Sequence, residues 1–397
     1  MKLCIPVKIC LSILVIFTFT LYILPFYFNC RLYDVLQFKQ ITVEDTRVRN
    51  TTKKILFWNT MFDSETFYMG KGDIFAHCPV NDCYATHDRY YTDLDDYDAL
   101  LFHAIQLDFS TLPSNRNPRQ WYVFVNLESP SNWPLTSQLH QNFYNITMTY
   151  RLDSDIVWTY GTVKDAHTEE IVAPSRNVNW NVYNQSGEED SNQPDNATLW
   201  KTIERKTKPI VWFVSNCATK SNRESYVKKL SKYISVDIYG QCGSMRCPRT
   251  KDCFRDVAEL DYFFYLSFEN SLCVDYVTEK LYNALRYNVV PIVYGGANYN
   301  QFAPPGSYIH ALDFEAPKDL ANYLKRLMEN PREYSEYFAW KKRYKIGEGT
   351  RLAVCNLCKF LHEQKEPRMY NSLSSWYSHS KCPWQDVLTM LQVHDKD

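Results

Sequence analysis

The sequence predicts an α/β protein with two domains, each built on a parallel, doubly wound sheet. The first observation is a strand–helix–strand unit. A strand ends at Phe268, a helix begins near Val277, and the β-branched run Val289–Tyr294 is typical of a buried parallel strand. The second is that strand and helix patterns keep alternating along the chain. The third is length, because the roughly 345 residues beyond the N-terminal region exceed what one hydrophobic core usually holds.

The first predicted domain, residues 54–205, contains four apolar segments bounded by polar turns, as strands are. The segment Asn184–Thr198 is rich in Asn, Asp, Gln and Ser, which indicates an exposed loop. We therefore place the domain boundary after it, between Asn196 and Lys208. The predicted strands are Lys54–Trp58, Ala99–Ala104, Trp121–Leu127 and Asp155–Tyr160.

The second predicted domain, residues 206–350, carries the strand–helix–strand unit at its centre. Pro331 interrupts the helical tract that follows, because proline cannot continue a helix. Residues 351–397 form a predicted C-terminal tail that contains cysteines. The other elements predicted here are strand Pro209–Val214, helix Arg223–Ile234, strand Val236–Tyr239 and the helical tract Ala316–Tyr344.

The N-terminus predicts a transmembrane signal anchor. Residues 9–28 form an apolar run of about 20 residues, the length that crosses a bilayer. Lys2 and Lys8 lie in the preceding tail, residues 1–8, and are expected on the cytoplasmic side, which makes the rest of the chain lumenal. The alternative is a cleaved signal peptide, but the run ends in bulky residues rather than a small-residue cleavage pattern. A polar stem, residues 29–53, follows the anchor.

Cysteines and glycosylation triplets agree with a lumenal location. The chain has 13 cysteines, a number typical of an oxidising compartment. Cys355 and Cys358 lack partners at zinc-finger spacing, which favours disulfides over zinc. The net charge is -1 and basic residues are not clustered, so nothing indicates a nucleic-acid partner. The N-x-S/T acceptors are Asn50, Asn145, Asn184 and Asn196.

Glu128 is the candidate general base. It follows the predicted strand Trp121–Leu127, so its carboxylate is expected at the carboxyl edge of the first sheet, facing a cleft. Partial burial there raises a carboxylate pKa toward the range needed to accept a proton from an attacking hydroxyl. The alternative is a loop glutamate that caps backbone N–H groups before Pro130.

A second group of residues suits a nucleotide sugar. Arg223 and Lys280 lie near helix starts that follow strands, where cations and free N–H groups bind phosphate. Glu279 suits sugar hydroxyls, and Ser215 and Asn216 follow a strand end and suit ribose or phosphate. The alternatives are a surface arginine and a solvated Glu-Lys pair. An Asp-x-Asp pattern near residue 93 lies in a charged stretch, so no metal ligand is assigned.

These motifs resemble those of the α1,3/4-fucosyltransferases, the family-ten glycosyltransferases. The resemblance covers roughly residues 54–358, and its most specific part is the segment that follows the central strand. The matching stretches are Phe268-Glu-Asn-Ser, Asp275-Tyr-Val-Thr-Glu-Lys-Leu-Tyr-Asn-Ala, Val290-Pro-Ile-Val, Asn126-Leu-Glu-Ser-Pro, Val214-Ser-Asn with Arg223, and Cys355-Asn-Leu-Cys358.

The resemblance implies a GT-B fold, in which two Rossmann-like domains with parallel sheets face a central cleft behind an N-terminal transmembrane helix. It implies inverting transfer of L-fucose from GDP-β-L-fucose to a GlcNAc hydroxyl of a glycoprotein glycan. It further implies a single-pass type II protein of the Golgi membrane. No metal cofactor is required in the family, although Mn²⁺ stimulates some members. The implied roles are Glu128 as base, Arg223 and Lys280 at the diphosphate, and Asn270, Tyr276 and Glu279 at GDP or fucose, with Ser215 and Asn216 nearby.

The resemblance also implies that Cys78 and Cys83 pair with Cys355 and Cys358, in an order that stays open. The chain departs from many relatives at Asn288 and Gly296, and it has an extra cysteine group. Two other functions stay possible: a lumenal GT-B transferase with a different nucleotide sugar, and an inactive glycan-binding homologue. The acceptor also stays open between the GlcNAc of an N-glycan core and an outer LacNAc or LacdiNAc arm. The extra cysteines are Cys242, Cys247, Cys253 and Cys273.

Overall fold

The computed structural model describes residues 52–136, 138–180, 196–248, 250–364, 366, 368–378 and 381–383. The predicted cytoplasmic tail, the membrane anchor and nearly all of the stem lie outside these ranges, as do Asn50 and Asn184. Within the described ranges, no helix is both long and apolar enough to cross a membrane.

The strands of the described chain match the predicted core strands closely. The strands predicted to begin at Ala99, Trp121 and Val236 do begin at those residues. Each is a short run of residues that are buried or partly buried, which is the pattern that predicts a strand. The strands are β1 Lys53–Phe57, β2 Cys83–Thr86, β3 Ala99–His103, β4 Trp121–Asn126, β5 Ile146–Thr149, β6 Ile156–Val157, β7 Gly161–Asp165, β8 Ile171–Ala173, β9 Lys208–Phe213, β10 Val236–Tyr239, β11 Tyr262–Phe268, β12 Val290–Tyr294, β13 Ile309–His310 and β14 Tyr344–Glu348.

The helices differ from prediction mainly at their ends. The helix predicted over Arg223–Ile234 stops at Leu230, and the one expected near Val277 begins at Glu279. They are α1 Asn196–Arg205, α2 Arg223–Leu230, α3 Glu279–Arg286, α4 Pro317–Glu329, α5 Pro331–Glu336, α6 Gly349–Glu363 and α7 Leu373–Trp376.

Two parallel sheets organise the described residues. The first has the order β2-β1-β3-β4-β5-β6, and the second has the order β10-β9-β11-β12-β13. All strand pairs within these two sheets are parallel. Their carboxyl ends therefore each form one edge, where the polar residues that follow the strands gather. Contacts group residues 53–397 into one compact unit, so the predicted boundary near residue 205 stays a prediction.

A third, antiparallel sheet was not predicted. It has the order β14-β7-β8, and Tyr344 pairs with Asp165. The prediction of a helical tract reaching Tyr344 is therefore wrong at its end: α5 stops at Glu336 and Tyr344 begins a strand. The strand predicted over Asp155–Tyr160 is also shorter, since only Ile156–Val157 pairs. These strands pair over long sequence distances, which local patterns do not reveal.

The end of the chain packs on the first sheet. Val354 and Leu357 of α6 share a buried cluster with Ile55 and Val123. The cysteine pairing left open by the sequence is Cys78 with Cys355 and Cys83 with Cys358, so disulfides reinforce this packing. Three further bridges fall within the described residues. They are Cys217–Cys242, Cys247–Cys253 and Cys273–Cys382.

The surroundings of Asn145 disfavour the predicted glycosylation there, which stays a prediction. The residue is 7% exposed. Its side-chain amide donates to the carbonyl oxygen of Arg368 at 2.7 Å, and its Oδ1 accepts from the Tyr122 N–H and from Arg116. A glycan on this amide would have to displace the residues packed around it, which disfavours modification because buried polar groups are costly to leave without partners. Asn196 begins α1, and its glycosylation stays a prediction.

Candidate active site

A cleft of about 590 Å³ lies where loops from both parallel sheets meet. One loop follows β4 and carries Glu128; another follows β11 and leads into α3. All eight residues predicted for catalysis or donor binding line this cleft. They are Glu128, Ser215, Asn216, Arg223, Asn270, Tyr276, Glu279 and Lys280.

Glu128 is held at both its backbone and its carboxylate. Its N–H donates to Asn126 Oδ1 at 2.9 Å, and its carbonyl oxygen accepts from the hydroxyl of Tyr377. Its Oε2 accepts from the hydroxyl of Tyr276 at 3.2 Å and from Asn132 Nδ2 at 3.3 Å. These contacts fix the direction of the carboxylate while the residue remains half-buried. A carboxylate held in this way is suited to accept a proton at one defined position.

Tyr276 joins the two sides of the cleft. It follows β11, yet its hydroxyl donates to Glu128 after β4, and its ring packs 5.0 Å from that of Tyr150. Burial raises the pKa of Tyr276 well above its ordinary value, and the neighbouring Tyr160 and Glu128 raise it further. The hydroxyl therefore stays protonated and remains a hydrogen-bond donor to the carboxylate.

Lys280 lies at the start of α3 between two carboxylates. Its Nζ is 3.1 Å from Glu269 Oε2 and 3.2 Å from Glu279 Oε1, and it donates to Thr278 Oγ1 at 2.6 Å. Burial by itself would lower the pKa of Lys280, but Glu269 and Glu279 raise it above the ordinary value. The ammonium therefore carries its charge at neutral pH. A fixed cation in a cleft of low dielectric is suited to hold a phosphate.

Glu269 is the buried partner that the sequence reasoning missed as a functional residue. It is 1% exposed, and its carboxylate accepts from the N–H and the hydroxyl of Thr278. Burial raises the pKa of Glu269, and the nearby Lys280 opposes that rise. Glu279 differs, and its side chain is half-exposed. Burial by itself would raise the pKa of Glu279, but the charge of Lys280 together with hydrogen bonds from its own backbone, Lys280 and Thr278 lowers that pKa below the ordinary value. The signal in the sequence was the position of Glu269 directly after a buried strand.

Arg223 is buried rather than exposed on the helix surface, which excludes the surface-arginine alternative. It is 3% exposed at the start of α2. Its guanidinium donates to the carbonyl oxygens of Phe268 at 2.5 Å and Asn216 at 3.2 Å, and it lies 5.5 Å from the ring centre of Trp212. The side chain therefore joins the ends of β9 and β11 and presents a second cation to the cleft.

The remaining predicted residues offer polar atoms to the same space. Ser215 and Asn216 are exposed after β9. Asn270 Oδ1 is buried and has no hydrogen-bond partner among the described residues, so it is available to a ligand. Aromatic residues that the sequence reasoning missed complete the lining, including Phe62, Tyr68, Tyr160, Phe213, Phe254 and Tyr265.

A possible metal group elsewhere in the described chain is accounted for by a disulfide. The ligand atoms of Cys83, Cys358 and His362 lie within 4.8 Å of one another. The two sulfur atoms are bonded to each other, so they are not free thiolates.

Comparisons with known proteins agree with this site. Residues 203–376 match the family model "Glycosyltransferase family 10 (fucosyltransferase) C-term", and residues 50–161 match "Fucosyltransferase, N-terminal". The chain is 36% identical to Drosophila melanogaster alpha-(1,3)-fucosyltransferase C, over 84% of this chain and 80% of that protein. It is 34% identical to a Bos taurus 3-galactosyl-N-acetylglucosaminide 4-alpha-L-fucosyltransferase, over 82% of this chain and 81% of that protein.

Solved structures share the fold. A crystal structure of an alpha1,3-fucosyltransferase with GDP covers 81% of this chain and 92% of its own, with a TM-score of 0.51 at 15% identity. A second, with GDP-fucose, covers 79% and 91%, with a TM-score of 0.50 at 14% identity. At these identities the likeness concerns the fold alone.

Proposed function

The chain belongs to the family-10 glycosyltransferases, the fucosyltransferases, and from this premise we propose that it is an inverting α1,3-fucosyltransferase. The proposed donor is GDP-β-L-fucose, and the proposed acceptor is a GlcNAc hydroxyl of a glycoprotein glycan. The observation that carries the proposal is that the Glu128 carboxylate, Arg223 and Lys280 line one cleft. The named relatives at 34–36% identity support the reaction type.

In the proposed mechanism, Glu128 takes the proton of the acceptor hydroxyl as that oxygen attacks C1 of fucose. The bond from C1 to the GDP oxygen breaks on the opposite face, so the β-linked donor gives an α-linked product. Lys280 and Arg223 stabilise the negative charge that develops on the departing diphosphate. Tyr276 keeps the Glu128 carboxylate aimed into the cleft through its hydrogen bond.

The donor is proposed to lie along the second sheet. Glu279 is half-exposed, so it can turn from Lys280 to the sugar hydroxyls of the donor and free one ammonium N–H for phosphate. Asn270 Oδ1 has no hydrogen-bond partner in the part of the chain that the structure describes and can accept from a donor hydroxyl. The exposed Ser215 and Asn216 line the same cleft, where they can contact ribose or phosphate. The mechanism contains no metal step, so a chelator is expected to leave turnover measurable.

We propose that the two parallel sheets form the halves of a GT-B fold, with the acceptor on the first and the donor on the second. We also propose a single-pass type II protein of the Golgi membrane with a lumenal catalytic region. The apolar run at residues 9–28 and the disulfides of the described chain support this location. Asn50, Asn184 and Asn196 remain the proposed glycosylation positions.

The test is turnover of the purified full-length chain with GDP-fucose and a glycan panel. The panel contains an N-glycan core and LacNAc and LacdiNAc arms, and the linkage of any new fucose is determined. We expect an α1,3 linkage to GlcNAc, with inhibition by GDP and none by UDP. Inhibition by UDP with transfer of another sugar would favour a transferase with a different donor. Glycan binding without transfer would favour an inactive homologue.

A further inference from the structure

We propose that residues 61–69, here named the aromatic loop, form a rigid platform for the acceptor sugar adjacent to the reacting GlcNAc. This inference rests on the proposed function and deepens it by assigning an acceptor subsite. The loop contributes Phe62 and Tyr68 to the same cleft as Glu128. The preferred acceptor is therefore an extended oligosaccharide rather than a single GlcNAc.

The loop consists of two consecutive tight turns with unusual residues at their centres. In the first, Met61 and Ser64 exchange backbone hydrogen bonds at 2.9 Å, and Phe62 and Asp63 both have positive φ, 46° and 69°. Positive φ at both central residues is the pattern of a type I′ turn, which normally selects Asn and Gly.

The second turn repeats the pattern. The N–H of Met69 donates to the carbonyl oxygen of Thr66 at 2.9 Å, and Phe67 and Tyr68 have φ of 52° and 59°. A residue other than glycine in this left-handed conformation costs on the order of 1–2 kcal/mol. Strained residues of this kind persist where the surrounding structure holds them, and they cluster at ligand sites.

The surroundings of the loop hold it firmly. Phe67 is fully buried, with its ring 5.1 Å from that of Phe57. The N–H of Phe62 donates to Gln106 Oε1 at 2.6 Å, and the hydroxyl of Tyr68 donates to the carbonyl oxygen of Phe62 at 2.6 Å. The ring of Phe62 packs 5.1 Å from that of His103. The two exposed rings are therefore fixed in place before a ligand arrives.

The exposure of these rings indicates a ligand rather than a core. Phe62 is 41% exposed and Tyr68 is 63% exposed, although aromatic side chains gain most from burial. A flat ring that covers the apolar face of a sugar loses little conformational freedom, and nearby carboxylates accept from the sugar hydroxyls. Asp63 and Glu65 supply such carboxylates, because both line a second cavity of about 550 Å³ on the same loop. Glu65 Oε2 lies 3.2 Å from Nε2 of His87 there.

The occupant follows from the position of the platform. Glu128 must touch the hydroxyl that reacts, so the reacting GlcNAc lies beside Glu128. Phe62 and Tyr68 line the same cleft, whereas Asp63, Glu65 and Thr66 of the same loop line the second cavity. A sugar attached to the reacting GlcNAc therefore meets these rings as the glycan leaves the cleft.

The test compares Tyr68→Ala with Tyr90→Ala, a tyrosine that is 96% exposed and does not line the cleft. Kinetics are measured in the full-length chain with an extended glycan and with a GlcNAc monosaccharide glycoside. For Tyr68→Ala we expect KM for the extended glycan to rise about tenfold, the scale of losing one well-placed ring. KM for GDP-fucose and turnover of the monosaccharide glycoside should change much less than KM for the extended glycan, and Tyr90→Ala should behave as wild type. Tyr68→Phe keeps the ring but loses its hydrogen bond to the Phe62 carbonyl oxygen, so its KM for the extended glycan should lie closer to wild type than that of Tyr68→Ala.

The proposal is overturned if Tyr68→Ala leaves KM for the extended glycan within twofold of wild type. It is also overturned if a folded Tyr68→Ala loses activity equally with both acceptors, since the ring then does not act on the sugar adjacent to the reacting GlcNAc. Tyr68→Leu replaces the alanine variant if the latter does not fold. Saturation-transfer NMR of the extended glycan in the presence of GDP measures binding to the protein without turnover. Wild-type chain that binds the glycan through Tyr68 but transfers no fucose would refute the proposed function and leave the subsite standing.

Discussion

Replacing Lys280 with alanine separates two roles that the structure gives to this cation. In the free protein, Lys280 neutralises Glu269, which is 1% exposed. Removing one partner of a buried ion pair commonly costs about 3–5 kcal/mol, because the other charge is left without compensation. In the complex, Lys280 is proposed to hold the diphosphate, so its loss should weaken donor binding by about 2 kcal/mol or more, roughly 30-fold.

A second substitution tells the two effects apart. Glu269→Gln removes the buried charge but retains the shape and an oxygen that accepts from Thr278. Lys280→Ala alone should lower the melting temperature by an amount on the order of 5–10 °C. The double variant Lys280→Ala/Glu269→Gln should recover most of this loss. GDP affinity, measured by calorimetry, should be low in both Lys280→Ala and the double variant. Glu269→Gln alone is the matched control and should keep GDP affinity near that of wild type.

The pH dependence gives an independent check. Burial raises the pKa of Glu269 above its ordinary value of 4.5 even with Lys280 beside it, and removing Lys280 takes away the opposing effect. Folded Lys280→Ala therefore binds a proton that the unfolded chain releases, so its stability falls as pH rises above about 4.5. The difference in melting temperature between Lys280→Ala and wild type should therefore become smaller as the pH falls from 7 to 5. If GDP affinity is unchanged in the double variant, Lys280 is a structural counter-ion and the diphosphate assignment is wrong.

Three further outcomes follow from the structure. Glu128→Gln keeps the size of the side chain and should bind GDP normally but lose transfer by about 10²-fold or more, measured as initial rate; normal turnover would exclude Glu128 as the base. Replacing Cys78 and Cys355 by serine should lower the free energy of unfolding by about 2–5 kcal/mol, and an unchanged urea midpoint would contradict a stabilising role. Asn145→Gln should destabilise the chain by about 1–3 kcal/mol without a glycan-dependent shift on a gel, because the amide is buried against Arg368. A loss of glycan mass in this variant would show that Asn145 is modified.

Local patterns were sufficient for the parallel strands and for the motif residues. β3 and β4 are almost wholly buried, so continuous apolar runs indicated them within a residue. The motif residues that follow such strands could also be placed, because the carboxyl ends of parallel strands converge. β2 was missed because it is only four residues long and is bounded by cysteine and turn-forming residues.

Long-range contacts were beyond the sequence patterns. β7 and β14 pair although they belong to distant parts of the chain, and no periodicity identifies a partner at that distance. The same holds for Tyr377, whose hydroxyl contacts the Glu128 carbonyl oxygen and accepts from Asn126 Nδ2 at 3.0 Å. Its position in the serine-rich segment Asn371–Ser380 gives no sign of these contacts. The paired state of Lys280 was likewise hidden, because Glu269 joins it only through the fold.

The donor loop between β11 and α3, residues 269–278, is tied to the first sheet as well as to its own. Ser271 Oγ accepts from Ser129 Oγ at 2.7 Å, and Asp275 Oδ2 accepts from the Leu152 N–H at 3.0 Å. The Cys273–Cys382 bridge adds a covalent tie to the C-terminal segment, which itself packs on the first sheet. A motion that opened the cleft between the sheets would have to break these contacts or carry the loop with the first sheet. Because the loop also carries Tyr276, the contact with Glu128 would then survive opening, whereas the contact of Arg223 with Phe268 belongs wholly to the second sheet. The position of Glu128 is therefore held independently of Arg223. Lys280 is bonded to Glu269 and Thr278 of the same loop, so any closure of the cleft should move Arg223 relative to the loop rather than change the position of Glu128.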